Sequence, residues 1–503
     1  MLSRITTPPQ KRTIAVFDIE RHPKEDYVTL LGFYDGKEYQ GLRHIEDFFD
    51  EALREERSGT WYFAHLAGMA DSQFFLEHLM KRSAEYVIEA AFKGASATAI
   101  RVSKGESSWL FLDSYQTFPE RLSMLGVAVG LDVVANDQCP NFPACGHDDL
   151  TAPLPPDPFG LRMKEEMRTL RGKERPWNVC MFSAPLAVLR EHNERNCLIL
   201  YKALTMFEES VLDLGGELQP SIQETSMDLY RRLYLLEAIF MSAEVNAFAR
   251  KAYASPRTEV YKVGIGTSAR YYDLNSAIIS AMTWPCPGNA RVMVDGKLPP
   301  LDTLFIAECD VFVPDTCYVG PLPYFSDGRT YYPTGRWKGT FTSVDLARLL
   351  KRGGTIEKTY RSMEFEAQTS LRDFAMDLFS KRKAASTAFG KLAYKRLLNG
   401  LYFGEQSPIE WAPIHAHLQA SMRANLEDHL VAAKGDLCYA GADDMATVGE
   451  LPSDPVALGA LKLEDLVDVK EFDALRIYHW SRCQLPNGRS RPWTVEELIE
   501  RAK

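Results

Sequence analysis

No stretch of this sequence approaches the roughly 18 consecutive apolar residues that a membrane-spanning helix needs. The opening text, MLSRITTPPQKRTIAVFDIE, has basic residues but neither an apolar core nor a small-residue cleavage site, so no secretory signal is read there. Cysteine is sparse, nine residues scattered singly over 503. That excludes a disulfide scaffold and points to a reducing compartment. The expected location is therefore cytoplasmic, with no membrane partner. Repeats with a period of roughly 20–50 residues are missing, which excludes solenoids and propellers. An excess of positive charge is missing too: 58 Lys and Arg stand against 68 Asp and Glu, a net charge of −10. A generally sticky nucleic-acid binder is disfavoured, but a local basic groove is not.

What is present is ordinary globular text, 46% hydrophobic and 25% charged, with a length that predicts about three domains at roughly 150 residues each. The apolar runs TIAVFDIE and WYFAHLAG read as strands, and the stretches around IEDFFDEALREE and DSQFFLEHLMKR read as amphipathic helices. This alternation is α/β. From about 136 to 178, proline and glycine density marks a long loop or insertion. Helical periodicity resumes over about 184–253. A strand-rich middle (258–341), a long helical region (343–402), a short strand pair and a brief tail follow. The pattern is multi-domain α/β and α+β.

Acidic residues interrupt several apolar runs. Asp18 and Glu20 close the first strand, and a period of two puts both carboxylates on one face. Paired oxygen donors at a strand end suit Mg²⁺ or Mn²⁺, although a solvated strand end also reads this way. Asp71 is a third carboxylate, placed to bind metal or to cap the helix after it. Asp273 sits in RYYDLNSAIISAM, and Asp443 with Asp444 breaks the run LCYAGADDMATV. An acidic pair inside such a strand or hairpin costs free energy unless cations or donors compensate it. In SKRKAASTAFGKLAYKRLLNGLYFG, Lys391, Lys395, Asn399 and Tyr402 recur at helical spacing, within about 80° of arc, while Leu392 and Leu398 point elsewhere. A basic stripe ending in an amide and a phenol suits a triphosphate with a base or sugar above the ring. A solvated lysine face with Tyr402 in the core is the plainer alternative. Gly400 and Gly404 permit close backbone approach.

Taken in order, these pieces resemble the family B DNA polymerases, and most closely their protein-primed branch from phages and linear plasmids. FDIE resembles the first exonuclease motif, DxE, with Asp18 and Glu20. AHLAGMAD resembles the second, AHNxxxFD, through Ala64, His65 and Asp71, with Leu66 in place of the amide. HNERNCLILYKAL puts His192 and Asn196 where the third motif has a tyrosine and an aspartate, and LFLDSYQTFPERLSMLGVAVG is similar to a further segment of the branch. In the polymerase half, DLNSAII resembles motif A (Asp273, Asn275, Ser276, with Ile278 for tyrosine) and KRLLNGLYFG resembles motif B (Lys395, Asn399, Tyr402). YAGADD resembles motif C, with Tyr439 and Asp443 matched and Gly441 at the first acidic position. Lys383 and Lys391 fit the branch's spacing. TYYPTGRWKGTFTSVDLARLL, RDFAMDLFSKRKA and LGALKLE agree as connecting phrases, and RIY at 476–478 echoes a KxY element.

The resemblance implies an RNase H-like 3′–5′ exonuclease domain followed by a right-hand palm and fingers with a reduced thumb. The corresponding spans are 1–205, exonuclease-like; 206–260, a helical connection; 261–364, palm with insertion; 365–405, fingers; 406–470, palm; and 471–503, a rudimentary thumb or tail. It implies two Mg²⁺ or Mn²⁺ ions held by Asp273, the Leu274 carbonyl and Asp443. Asp18, Glu20 and Asp71 would hold metal at the exonuclease site. Lys383, Lys391 and Lys395 would meet phosphates, and Asn275, Ser276, Ile278, Asn399 and Tyr402 would line the nucleotide pocket. Asp444 reads as a poor replacement for residue 441, because adjacent strand residues face opposite sides. The implied partners are a DNA template and primer, dNTPs and a priming or terminal protein. Asn196, a neutral ligand, implies a weakened exonuclease. Ile278 implies relaxed sugar selection unless Tyr272 or Tyr402 supplies the gate. The short Lys395–Asp443 spacing and the few residues after Tyr478 imply weak strand displacement and weak DNA grip. The four departures, Leu66, Asn196, Ile278 and Gly441, support a second reading: a decayed polymerase kept as a nucleic-acid-binding or structural subunit. Cys139, Cys145 and His147 are too loosely spaced, and lack an evident fourth ligand, for a zinc site; they read as loop residues.

Overall fold

The computed structural model describes residues 1–21, 28–65, 72–94, 96–131, 186–254, 256–261, 268–404, 407, 409–467 and 493–501. The expected 136–178 insertion, Leu66, Asp71, the Cys139–His147 group and the RIY element lie outside the described residues.

The N-terminal part is built on a seven-stranded mixed sheet of β1 (Thr13–Arg21), β2 (Val28–Tyr34), β3 (Tyr39–Leu42), β4 (Thr60–Ala64), β5 (Val87–Lys93), β6 (Ser96–Lys104) and β7 (Ser107–Asp113). Their spatial order is β3-β2-β1-β4-β7-β6-β5, with β1, β4 and β7 parallel and the flanking pairs antiparallel. Alternation along β1 decides the layers. Ala15, Phe17 and Ile19 bury against Phe48 and Phe49 of α1 (Ile45–Ala52) and Phe75 of α2 (Ser72–Met80). Ile14 and Val16 face the other way, into the core shared with α3 (Leu122–Ala128) and α4 (Leu186–Asp213). Asp18 and Glu20 continue the second face, so the strand's own period aims both carboxylates toward α4.

Two helices, α5 (Ile222–Leu233) and α6 (Ala243–Arg250), lead to the palm sheet. That sheet contains β8 (Glu259–Val260), β9 (Ala269–Leu274), β16 (Leu437–Ala440), β17 (Asp444–Thr447) and β18 (Leu461–Val467), in the order β18-β9-β17-β16-β8. After β9 comes the short α7 (Ala277–Met282). A four-stranded sheet, β10-β15-β11-β14, is formed by β10 (Cys286–Asp295), β11 (Leu304–Val313), β14 (Gly335–Thr342) and β15 (Thr355–Gln368), with the hairpin β12 (Tyr324–Ser326)–β13 (Arg329–Tyr331) beside it. α8 (Ser343–Lys351) starts at a capping box between Thr342 and Asp345. Next come α9 (Ser370–Ala384), α10 (Ala388–Gly400) and α11 (Ala412–Ala433), and α12 (Val495–Arg501) is the last helix described.

The expected helical region over 343–402 is a helix, a 14-residue strand and two helices. β15 reads TIEKTYRSMEFEAQ, and of its side chains only Ser362, Met363 and Phe365 are buried. It is a strand because β10 and β11 pair with its backbone on both edges, which leaves little hydrophobic period to read. The other helical and strand-rich spans match. Among the described residues no helix is long and apolar enough to cross a membrane, and five described cysteines are buried.

One core ties the layers together. Phe118, Phe207, Tyr230, Phe374, Phe389, Leu397, Leu398 and Phe403 belong to a single buried cluster that also contains Ile279 and Met282. The lysine-bearing helix α10 therefore packs on α5, α4 and α7 at once. Gly400 makes its close contact with α5: a Cβ there would stand 2.4 Å from Ser226 Oγ and 2.8 Å from the Ile222 carbonyl.

Candidate active sites

On the palm sheet, β9 and β17 pair antiparallel with Asp273 directly opposite Asp444. The Leu274 N–H donates to the Asp443 carbonyl at 2.7 Å, which puts Asp443 beside the residue that follows Asp273. Directly opposed residues share a sheet face, so Tyr271, Asp273, Asp444, Ala446 and Tyr439 lie on one side. Tyr272, Leu274, Met445 and Leu461 lie on the other, packed with Leu426 and Leu430 of α11. That apolar layer fixes the strands and leaves the acidic residues on the opposite face. Asp273 and Asp443 are half-buried.

The turn after β9 is held from several sides. Asn275 Nδ2 donates to the Pro455 and Ala457 carbonyls at 3.2 and 3.0 Å, and its backbone bonds Gly459 and Ala460. Ser276 takes the left-handed conformation (φ 56°, ψ 53°), a strain of order 1–3 kcal/mol for a residue with a Cβ. Its carbonyl then accepts the Ser280 N–H at 2.9 Å and starts α7. Ile278, at the expected sugar-gate position, is half-buried against the shared core, and Ile279 is the buried neighbour. Tyr272 points away from the acidic face. It is 1% exposed on the far face of the sheet, and its hydroxyl accepts from the Leu451 N–H at 3.0 Å.

Lys391 and Asn399 are exposed and Lys395 is half-buried, while Phe389, Ala393, Leu397 and Leu398 bury the opposite side of α10. The predicted stripe is real over this helix, but Tyr402 does not extend it. The helix stops at Gly400, Leu401 turns to extended backbone, and the Tyr402 ring packs edge-on against His415 of α11 at 4.8 Å. Gly404 lets the phenol lie flat on the backbone: a Cβ there would be 2.2 Å from the Tyr402 hydroxyl. Lys383, near the end of α9, covers the Phe379 ring at 4.7 Å and reaches the Val456 carbonyl at 3.4 Å, over the loop that holds Asn275.

At the other acidic pair, α4 crosses β1 and contributes amides. Asn196 Nδ2 donates to Asp18 Oδ2 at 2.9 Å. Asn193, fully buried, donates from Nδ2 to the Asp18 carbonyl at 3.1 Å, with Asp18 Oδ2 at 3.2 Å and Glu20 Oε1 at 3.4 Å. The Tyr39 hydroxyl donates to Asn193 Oδ1 at 2.9 Å. Room for Asn193 comes from Gly32, the partner of Asp18 on β2, where a Cβ would fall 1.7 Å from Asn193 Oδ1. His192 Nε2 accepts from Asn196 at 3.2 Å, and burial holds its pKa below the usual value against the opposing pull of Asp18. His65 is fixed by Ser114 Oγ at 3.0 Å and the Glu120 carbonyl at 2.7 Å. Asn193 is absent from the motif reading. Its signal is the amide pair HNERN, in which residues three apart share a helix face.

Among the described residues, no group of three or more His, Cys, Asp and Glu is gathered to hold a metal. At the palm, a cation would therefore draw on two carboxylates, a backbone carbonyl, phosphate and water, a hard-oxygen set that suits Mg²⁺. The acids of the N-terminal site face amides instead.

A family model described as DNA polymerase type B, organellar and viral, matches residues 193–405. Residues 193–405 are thus similar to the type B DNA polymerases. A probable DNA polymerase of Podospora anserina is 28% identical over 186 residues, 36% of this chain and 15% of that protein. A probable DNA polymerase of Neurospora intermedia is 24% identical over 237 residues, 42% of this chain and 24% of that protein. The chain thus spans less than a quarter of the length of these two relatives. Phi29 DNA polymerase shares the fold: its orthorhombic crystal form superposes with a TM-score of 0.67 at 16% identity, covering 90% of this chain and 84% of that one. The same polymerase bound to primer-template DNA and incoming nucleotides gives the same values. The type B architecture expected from the motifs is the one observed.

Proposed function

We propose that this chain is a DNA-directed DNA polymerase that extends the 3′-hydroxyl of a DNA primer, or a hydroxyl of a priming protein, by templated addition of dNTPs. The observation that carries the reading is the side-by-side placement of Asp273, Leu274 and Asp443 at the β9–β17 turn, next to the motif A helix on which α10 packs.

Asp273, Asp443 and the Leu274 carbonyl are the groups that would hold divalent cations. Such cations, when bound, acidify the attacking hydroxyl and neutralise charge on the transferring phosphate. Lys383, Lys391 and Lys395 supply positive charge for a triphosphate, and the short tethers of Asn275 keep the floor of the pocket from shifting as the nucleotide enters. Tyr402, pinned by His415 and Gly404, offers an apolar edge to the nascent pair, and Ile278 lies under the sugar. The spans given above for exonuclease-like domain, palm, fingers and thumb form part of the same proposal.

The 3′–5′ exonuclease is weak or lost in this reading. Asn193 and Asn196 direct N–H donors at the oxygens of Asp18 and Glu20 that a cation would need, and neither amide carries the charge to hold metal in their place. Gly441 and this amide-filled site favour the second reading, a decayed subunit that binds nucleic acid without extending it. Extension of a labelled primer on a DNA template, with Mg²⁺ or Mn²⁺, separates the two. Templated addition supports the polymerase, and blank lanes with both metals alongside retained DNA binding support the subunit.

A further inference from the structure

Position 441 is a glycine where the family resemblance has the first acid of motif C. The place is not empty. A Cβ built on Gly441 would stand 1.7 Å from Asp444 Oδ1 and 2.6 Å from the Tyr439 hydroxyl. The carboxylate of Asp444 therefore fills the volume in which a side chain at 441 would begin. The turn that brings them together is closed by the Gly441 N–H donating to the Asp444 carbonyl at 2.7 Å.

Alternation along a strand would turn Asp444 away from the site. That rule fails here because β17 begins at Asp444, and Asp443 belongs to the turn. Register decides the face instead. Asp444 is directly opposite Asp273 and so shares its side of the sheet. Tyr271, two residues before Asp273 on that side, donates its hydroxyl to Asp444 Oδ2 at 2.5 Å. Asp444 is 2% exposed, and a carboxylate so far out of water needs oriented donors or a nearby cation.

We propose that Asp444 is a positioning residue that supplies, from three places further along the chain, the carboxylate expected at 441, so that Gly441 and Asp444 form a compensated exchange. The inference rests on the polymerase reading for its chemistry. Its geometry requires that only one of the two positions carry an acid: a side chain at 441 and the Asp444 carboxylate exclude each other, while moving the acid back to 441 and emptying 444 should restore the arrangement.

The test compares the wild type with Gly441→Asp, Asp444→Asn, Asp444→Ser and the double variant Gly441→Asp/Asp444→Ser. Two readouts are taken on the full chain: primer extension, and Mn²⁺ binding followed by electron paramagnetic resonance, with primer-template and dNTP present and Asp443→Ala as the reference for an unloaded site. Each single variant should lose about tenfold or more in extension and bind Mn²⁺ more weakly, and the double variant should return to within about threefold of wild type. Asp444→Asn keeps the shape of the side chain, so a loss there is a loss of charge, and thermal melting verifies that each variant is folded. Wild-type behaviour of Asp444→Asn in both readouts would overturn the proposal, as would a double variant no better than the poorer single one. If the wild type extends no primer, the polymerase reading fails and the exchange is scored on Mn²⁺ alone: loss in Asp444→Asn with recovery in the double variant supports it. Equal binding throughout, or no binding by the wild type, overturns it.

Discussion

Asn196 and Asp18 are joined across α4 and β1 by a 2.9 Å hydrogen bond from amide to carboxylate. The helix and strand that would hold two acids around a metal here hold an acid against a donor, and Asn193 repeats the arrangement one helical turn earlier. Weak degradation of single-stranded DNA is the expected behaviour. Asn196→Asp, which replaces a donor by a further anionic oxygen ligand, should raise exonuclease activity by about tenfold or more. A wild-type nuclease that degrades single strands vigorously and is abolished by Asp18→Ala would contradict this.

In the proposed reading Ile278 takes the place of the ring on which a tyrosine gate depends, and Tyr272 lies on the opposite face of the sheet. The chain should accept ribonucleotides more readily than its Ile278→Tyr variant. A tenfold difference in discrimination would correspond to about 1.4 kcal/mol. Single-turnover incorporation of matched dNTP and rNTP by both proteins measures it, and equal, strong rejection of rNTP by both would place the gate elsewhere.

Gly400 sits at the last position of α10. Alanine there would add roughly 1 kcal/mol of helix propensity in open space. Its Cβ would instead meet Ser226 Oγ at 2.4 Å and the Ile222 carbonyl at 2.8 Å, and the backbone atom cannot rotate away. Overpacking of this kind costs about 1–3 kcal/mol, so Gly400→Ala should lower the denaturation midpoint. An unchanged or raised midpoint would show that α5 and α10 are not locked together at this point.

His415 and His417 lie on α11 under the palm, and burial pushes both down to about 4, against the pull of Glu410 on the first and of the Pro413 carbonyl and Asp345 on the second. The unfolded chain takes up protons on these rings below about pH 6.5, while the folded chain refuses them until about pH 4. Stability should therefore fall as pH drops through that window, by up to about 1.4 kcal/mol per unit for each ring. Thermal melts between pH 7 and pH 4 would show it, with a shallower slope for His417→Gln. A flat profile would contradict the burial of the two imidazoles.

The order of the motifs makes the fold legible in the sequence, because each motif marks a strand end or helix that the architecture requires. Asp18 and Glu20 share a face as their period of two demands, and α10 buries Leu397 and Leu398 behind its lysines. Contacts distant in sequence were less legible. Asn193 acquires its part from Gly32 and Tyr39, both more than 150 residues away, and no local pattern announces that meeting. Tyr402 leaves the predicted stripe because the helix ends two residues earlier. Asp444 departs from strand alternation because β17 begins there, after a turn. β15 was hidden because pairing on both edges, rather than side-chain burial, makes it a strand.

Primer extension by the wild type, Asp273→Ala and Asp443→Ala, with Mg²⁺ or Mn²⁺, tests directly whether the β9–β17 turn is a nucleotidyl-transfer site. Each variant removes a ligand that the account gives to the cations, so templated extension by the wild type should fall by about a thousandfold or more in both. Near-wild-type extension by either variant would contradict the account.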